Sequence, residues 1–417
     1  MNVSVLANSL IGSEIIKIGN EVNELKSKGA KIANLTIGDF DPSIFPIPEE
    51  LKDEIIKAYN AHQTNYPPAD GIMPLRKTIA GVLKDRYNLD FDTNEILVSA
   101  GSRPLIYATY LALVDPGDTV IYPAPSWNNN HYVHLSSAKG IAVETTAATN
   151  FMPTAELIRP HIKGATLLAL CSPLNPTGTM FTAEQLTEIC DMVIEENKSR
   201  AEGEKPLYVM YDQIYSLLTF GKAHVNPVSL RPEMKDYVIY IDGISKCLAA
   251  TGVRVGWGFG PAAVMSKMKA FLMHIGAWAP KAEQVALATY FADKNLVDQF
   301  LTSFKKQVQL SLDALYNGFQ EMKKEGFAVD AIVPMGAIYL TLEIEYIGKT
   351  TASGAVLAES SDLVFYLINE AQVALVPFSA FATHQNPAWF RASVGGCSLN
   401  DINEMMPRIK AALSKLK

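Results

Sequence analysis

Thr166-Leu167-Leu168-Ala169-Leu170, then a helical repeat opening at Thr182, then Leu207-Tyr208-Val209-Met210-Tyr211: this strand, helix and strand decide the fold. Both flanking runs are nearly continuous apolar stretches, as strands covered on both faces require. Between them, Thr182 with Gln185 three residues on predicts a reciprocal cap at a helix start. Leu186, Ile189, Cys190, Val193 and Ile194 follow at i, i+3, i+4, i+7 and i+8 and so share one apolar stripe that packs on a sheet.

Outward from this unit, Ile96–Ser99, Thr119–Tyr122 and Tyr237–Ile241 are further strand candidates, with strand pieces near Gly256. The alternation between Asn94 and Ile244 predicts an α/β fold, a mainly parallel sheet with helices on both faces. Asn197–Lys205, charged and glycine-containing, is expected to be a surface loop. After about residue 290 the pattern changes to a long amphipathic stretch, Val297 to Lys324, that stops at Gly326, and strands and helices then resume through Lys417. A smaller second domain is expected to start there.

The 417 residues are enough for two to three domains at about 150 residues each. With 36 basic and 43 acidic residues the net charge is −7, and no Lys/Arg block offers a footprint for nucleic acid or an anionic membrane. Small-molecule chemistry is the expectation. Met1 to Leu10 lacks the basic start and apolar centre of an export signal, and no apolar run is long enough to span a bilayer, so a cytoplasmic protein is expected. Cys171, Cys190, Cys247 and Cys397 show no CxxC spacing and are read as reduced thiols. The seven histidines show no metal-ligand spacing, and no metal site is expected.

In open α/β sheets ligands bind at the carboxyl ends of the strands, so the residues just past each run are informative. After Ile96–Ser99 comes Gly101-Ser102-Arg103-Pro104, a small-residue turn into a helix and therefore a phosphate-binding start. The later runs are followed by Trp127, Asn175, Asp212 and Ser245-Lys246. Singly these are ordinary: an aspartate after a strand usually caps a helix, and an asparagine before proline usually begins a turn. Their order carries the weight.

Asn175-Pro176-Thr177-Gly178, Tyr211-Asp212-Gln213-Ile214-Tyr215, Ser245-Lys246 with Thr251-Gly252-Val253-Arg254, and Phe390-Arg391 stand in sequence along the chain. From about Asn34 to Arg391 the chain resembles the class I/II pyridoxal-phosphate-dependent aminotransferases of fold type I, nearest the aspartate and aromatic branch. The resemblance implies a large cofactor-binding domain over residues 46–295 with a seven-stranded sheet. Residues 1–45 would form an N-terminal arm and part of the small domain, and 296–417 an interdomain helix and the small α+β domain.

The resemblance also implies roles. Lys246 would bind pyridoxal 5′-phosphate through its amine and move the substrate α-proton, tasks that suit a desolvated lysine. Asp212 would pair with the ring nitrogen, Asn175 and Tyr215 with the ring oxygen, and Trp127 would stack on the ring. Gly101, Ser102, Arg103, Ser245 and Arg254 would surround the phosphate, joined by Tyr66 from the neighbouring subunit of a homodimer. Arg391, with Gly38, Asn175 and Trp127, would meet the substrate, the guanidinium holding its α-carboxylate. A buried structural salt bridge is the competing account of Arg391. Val253, Phe378 and Asn128-Asn129-Asn130 depart from the family pattern near the substrate pocket.

The implied reaction moves an amino group from an L-amino acid, aspartate first and aromatic next, to a 2-oxo acid such as 2-oxoglutarate. A lyase eliminating at Cβ on the same fold is the alternative. A DNA-binding regulator is disfavoured because no basic recognition helix precedes the matched region. A nicotinamide-dependent oxidoreductase is disfavoured because Gly256-Trp257-Gly258-Phe259-Gly260 lacks the GxGxxG spacing.

Overall fold

The computed structural model describes residues 3–10, 12, 14–383, 385 and 387–417, so residues 1, 2, 11 and 13 of the expected N-terminal arm lie outside it. Seven strands form the main sheet: β1 Ile96–Ser99, β2 Thr119–Ala124, β3 Lys139–Glu144, β4 Ala165–Cys171, β5 Tyr208–Asp212, β6 Val238–Gly243 and β7 Gly256–Phe259. Their spatial order is β1-β7-β6-β5-β4-β2-β3. β2 to β6 are joined by parallel ladders, and β7 runs against both of its neighbours. This is the α/β fold with a mainly parallel seven-stranded sheet that the sequence leads one to expect.

The sheet forms because its central strands are buried on both faces. Leu167, Leu168, Ile239 and Tyr240 are wholly inaccessible, with successive residues facing opposite clusters. Each such side chain contributes roughly 1.5–3 kcal/mol relative to exposure. β3 is the strand that the apolar runs do not reveal. It lies at the sheet edge with Lys139 and Gly140 exposed, so only Val143 is buried and the sequence carries little apolar signal.

The helix Ala183–Ser199 begins with the expected reciprocal cap: the Gln185 amide donates to Thr182 Oγ1 at 3.2 Å, and the Thr182 amide to Gln185 Oε1 at 3.1 Å. It runs further than the composition suggests, taking in Asn197, Lys198 and Ser199, so the expected loop is shorter. The Asn197 side chain explains this, since it exchanges two hydrogen bonds with the Leu207 backbone, at 2.7 and 3.0 Å, and anchors the last turn to the start of β5.

A second hydrophobic cluster draws on Ile18–Phe45, on Ile214–Phe220 and on residues from Phe304 to Leu413. The helix Lys294–Lys324 serves both clusters, Val297 and Leu301 facing the first and Phe304 to Met322 the second. An antiparallel sheet, ordered Val376–Pro377, Trp389–Ser393, Tyr339–Ile344 and Val329–Ala331, packs in this second cluster. Thr341 pairs with Arg391, and Tyr339 lies two residues from Thr341, so all three share one face. Among the described residues no helix is long and apolar enough to cross a membrane.

Candidate active site

A cavity of about 820 Å³ opens where the carboxyl ends of β4, β5 and β6 meet this second sheet and the segment Thr36–Asp39. Gly38, Ser102, Arg103, Trp127, Asn175, Asp212, Tyr215, Ser245, Lys246, Arg254 and Arg391 all line it. Two residues singled out from the sequence do not. Gly101 sits behind Arg254, where a Cβ would lie 2.3 Å from the guanidinium Nη2, and its φ of 84° suits glycine. Tyr66 is 79% exposed and meets Trp278 edge-on, with ring centroids 4.9 Å apart.

Lys246 stands in the short helix Ile244–Cys247 that leaves β6, and its Nζ donates to the Gly38 carbonyl. Burial lowers its pKa to about 8; Asp39 opposes that shift, while Arg391, Arg103 and Arg254 reinforce it. About a tenth of the amine is therefore neutral at pH 7, several hundred times the fraction of an ordinary lysine. Asp212, at the end of β5, is pushed up to about 6 by burial, offset by the Ile214 amide at 3.1 Å and by the Lys246 charge. A cationic partner in the cavity would restore its ionised form.

Among the described residues, neither Arg391 nor Arg254 of this cavity forms an ion pair with a carboxylate. Arg391 is 2% exposed; its Nη1 donates to Asn175 Oδ1 at 3.0 Å and its Nη2 to the Thr36 carbonyl, while Nε has no partner. Among the described residues no carboxylate forms an ion pair with it, so the structural salt bridge considered from sequence is not what holds it. Arg254 is turned by a φ of 60° and donates only to the Thr251 and Ala100 carbonyls, at 2.7 and 2.8 Å. Buried or half-buried cations bound only to neutral oxygens suit anionic ligands. Arg103 differs, lying 4.6 Å from the Trp127 ring centroid with no hydrogen bond or ion pair among the described residues.

Sequence reasoning missed Tyr339, whose hydroxyl lies 2.6 Å from that of Tyr215 and whose ring lies 4.7 Å below the Arg391 guanidinium. It sits in an apolar strand of the second core, where nothing in the local pattern distinguishes it from packing. Asp39 was missed as well, although it directly follows Gly38.

The donor set fits an anionic, aromatic aldehyde. Ser102, Ser245 and Arg254 line the cavity, with Arg254 packed against Gly101 at the helix start Ser102–Leu113; an aromatic face is present in Trp127, a buried carboxyl in Asp212 and a poised amine in Lys246. Among the described residues no group of three or more His, Cys, Asp or Glu is placed to hold a metal ion.

Comparison with known proteins shows the family. The family model "Aminotransferase class I and II" matches residues 30–409. The chain is 30% identical to a probable aspartate/prephenate aminotransferase of Rickettsia felis over 99% of its own length and 97% of that protein. It is also 30% identical to the aspartate aminotransferase of Geobacillus stearothermophilus over 93% of each. The crystal structure of the aspartate aminotransferase from Rhizobium meliloti superposes with a TM-score of 0.91 at 27% identity, covering all of both chains. With a full-length structural match, a family model over nearly the whole chain and relatives at 30% identity, this chain belongs to the class I and II aminotransferases.

Proposed function

We propose that this aminotransferase carries pyridoxal 5′-phosphate in the cavity around Lys246 and transfers the amino group of L-aspartate, with aromatic amino acids next, to a 2-oxo acid such as 2-oxoglutarate. When bound, the cofactor supplies an aldehyde that condenses with amines and a cationic ring that draws electrons from the bond broken at the substrate Cα. The observation that carries the reading is the Lys246 amine, brought to a pKa of about 8 by its own burial in this cavity, with Arg391, Arg103 and Arg254 adding to the shift. A neutral amine is a nucleophile toward the aldehyde and, once free, a base for the α-proton at its Nζ.

The remaining residues hold and orient. Asp212 pairs with the ring nitrogen, Asn175 and Tyr215 donate to the ring oxygen, and Trp127 covers one ring face. Gly101, Ser102, Ser245 and Arg254 take the phosphate through amides, hydroxyls and a guanidinium. Arg391 takes the α-carboxylate, aided by the close approach of Gly38. Arg103, unpaired and turned over Trp127, is the cation that a side-chain carboxylate would meet, which supports a dicarboxylic donor. The exposed Tyr66 reaches the phosphate of a partner subunit in a homodimer. The relatives named above are aminotransferases, so Cβ elimination is not the favoured reading.

Mixing the cofactor-loaded enzyme with single amino acids and following its visible absorbance ranks the donors. Aspartate and glutamate are expected to bleach the band at the lowest concentrations, and the added oxo acid to restore it. A band that ignores every donor overturns the proposal.

A further inference from the structure

Tyr215 and Tyr339 are both buried, with their hydroxyls 2.6 Å apart. Two hydroxyls at this distance share one proton between them, so one donates while the other accepts and keeps its own O–H free to point elsewhere. The surroundings set the direction. The Arg391 guanidinium lies 4.7 Å from the Tyr339 ring centroid, and a cation there favours negative charge on that phenol. Burial raises both hydroxyls, Tyr215 well above its ordinary value and Tyr339 less so, held back by Arg391 and by the bond to Tyr215. Tyr339 is the better acid and therefore the donor.

The backbone leaves Tyr339 little freedom. Gly178 has a φ of 70°, and a Cβ on it would lie 2.1 Å from the Tyr339 carbonyl oxygen; a Cβ on Gly38 would lie 2.5 Å from the Tyr339 hydroxyl. Thr341 Oγ1 donates to the Thr177 carbonyl at 2.8 Å, fixing the same strand to the same loop. Tyr339 is thus wedged between the Asn175–Gly178 loop and Gly38, whose carbonyl accepts a hydrogen bond from Lys246 Nζ.

We propose that Tyr339 is a positioning residue: it donates its hydroxyl proton to Tyr215, turns the Tyr215 O–H onto the cofactor's ring oxygen, and so links the Arg391 anchor to the cofactor's acidity. The inference rests on the cofactor reading given above. The titratable and charged groups facing the pair are Arg391, Asp39, Cys171 at the end of β4, and Lys246, whose Nζ lies 6.0 Å from the Tyr215 ring centroid.

The test is a pH titration of the visible absorbance of the cofactor-loaded protein. Tyr339→Phe keeps the ring under Arg391 but removes the donor, so Tyr215 becomes a weaker donor to the ring oxygen. The midpoint is expected to rise by roughly 0.5–1 pH unit, as loss of one supporting hydrogen bond implies. In a Tyr215→Phe background the same change is expected to add nothing, because the two residues act in series. An unreactive dicarboxylic acid should bind Tyr339→Phe within about threefold of the parent, which separates positioning from collapse of the Arg391 site. An unchanged midpoint, or an equal shift in the Tyr215→Phe background, overturns the inference alone. A loaded protein with no visible band overturns the cofactor reading and the inference with it.

Discussion

Arg391 Nη1 donates to Asn175 Oδ1 at 3.0 Å, and the same guanidinium keeps a buried Nε without a partner. A charge in that position is costly, because desolvation is not offset by a counter-ion. A site that tolerates such a cost is set up for an anion that arrives later. Two outcomes follow. Arg391→Lys, which keeps charge but loses the planar fork, should lower kcat/KM by about 100- to 1,000-fold, as expected for a lost bidentate carboxylate contact. Arg391→Gln should leave the cofactor-free protein as stable as the parent or more so by thermal melting. A large fall in melting temperature would show that Arg391 holds the fold together instead.

Lys246 makes a kinetic prediction. With its pKa at about 8, the neutral fraction of the amine rises tenfold per pH unit below that value and levels off above it. Reconstitution of the cofactor-free enzyme with pyridoxal 5′-phosphate, followed by stopped-flow absorbance, should show this profile. Lys246→Ala should bind the cofactor without covalent attachment, so that borohydride reduction followed by digestion labels no peptide. A reconstitution rate that still climbs steeply between about pH 9 and 10 would place the amine near the ordinary lysine value and remove the basis for its role.

What the sequence reveals and what it hides divide along physical lines. The central strands and the stripe from Leu186 to Ile194 are readable because burial on both sheet faces or on one helix face imposes a periodic apolar pattern. β3 is hidden because an edge strand needs no such pattern. Lys246, Asp212, Asn175 and Arg391 stand out as polar groups directly beside apolar runs, in an order shared with a family. Tyr339 has no such contrast, since a tyrosine in a core strand is ordinary, and its place beside Tyr215 is made only by tertiary packing across 124 residues of chain. The family order places Arg103 beside the phosphate ligands, and the position of its guanidinium over Trp127 is set by tertiary packing that the sequence does not reveal.

Two buried carboxyls favour the folded cofactor-free protein at low pH, and His224, lowered by burial from 6.5 to about 3, opposes them in part below about pH 6.5. Burial pushes Asp212 up to about 6 and Asp242 up to about 7, from an ordinary value of 3.8. A raised acid binds its proton more tightly when folded, so stability falls as pH rises from about 4 to 7. Lys246 works in the opposite sense at higher pH: its folded value of about 8 lies below the ordinary 10.5, so the unfolded chain holds more protons in that window and stability recovers with pH. Melting temperatures should therefore fall on balance between about pH 4 and 7, and Asp242→Asn should flatten the fall. The same slope in Asp242→Asn would move the effect to other groups.

Two glycines with left-handed backbones separate strain from contact. Gly203 has a φ of 89° with nothing near a would-be Cβ, while Gly178 has a φ of 70° and would place a Cβ 2.1 Å from the Tyr339 carbonyl. Gly203→Ala should cost about 1 kcal/mol, the backbone penalty alone. Gly178→Ala should cost at least about twice that, because the strand bearing Tyr339 must move. Equal costs in denaturant melts would show that the second sheet gives way easily.

Tyr66 decides whether the active site is shared. It is 79% exposed, held only edge-on to Trp278, and absent from the wall of its own cavity. If it completes a partner's site, Tyr66→Ala and Lys246→Ala each damage both sites of their own homodimers. In a mixed dimer both lesions fall in one site, and the other combines an intact Lys246 with an intact Tyr66. Random reassortment of equal amounts in a two-fold dimer then leaves about one quarter of all sites whole. Activity in the reassorted mixture should climb toward that fraction of the parent, well above either variant alone. A mixture no more active than the mean of its two components would mean that each chain carries a complete site of its own.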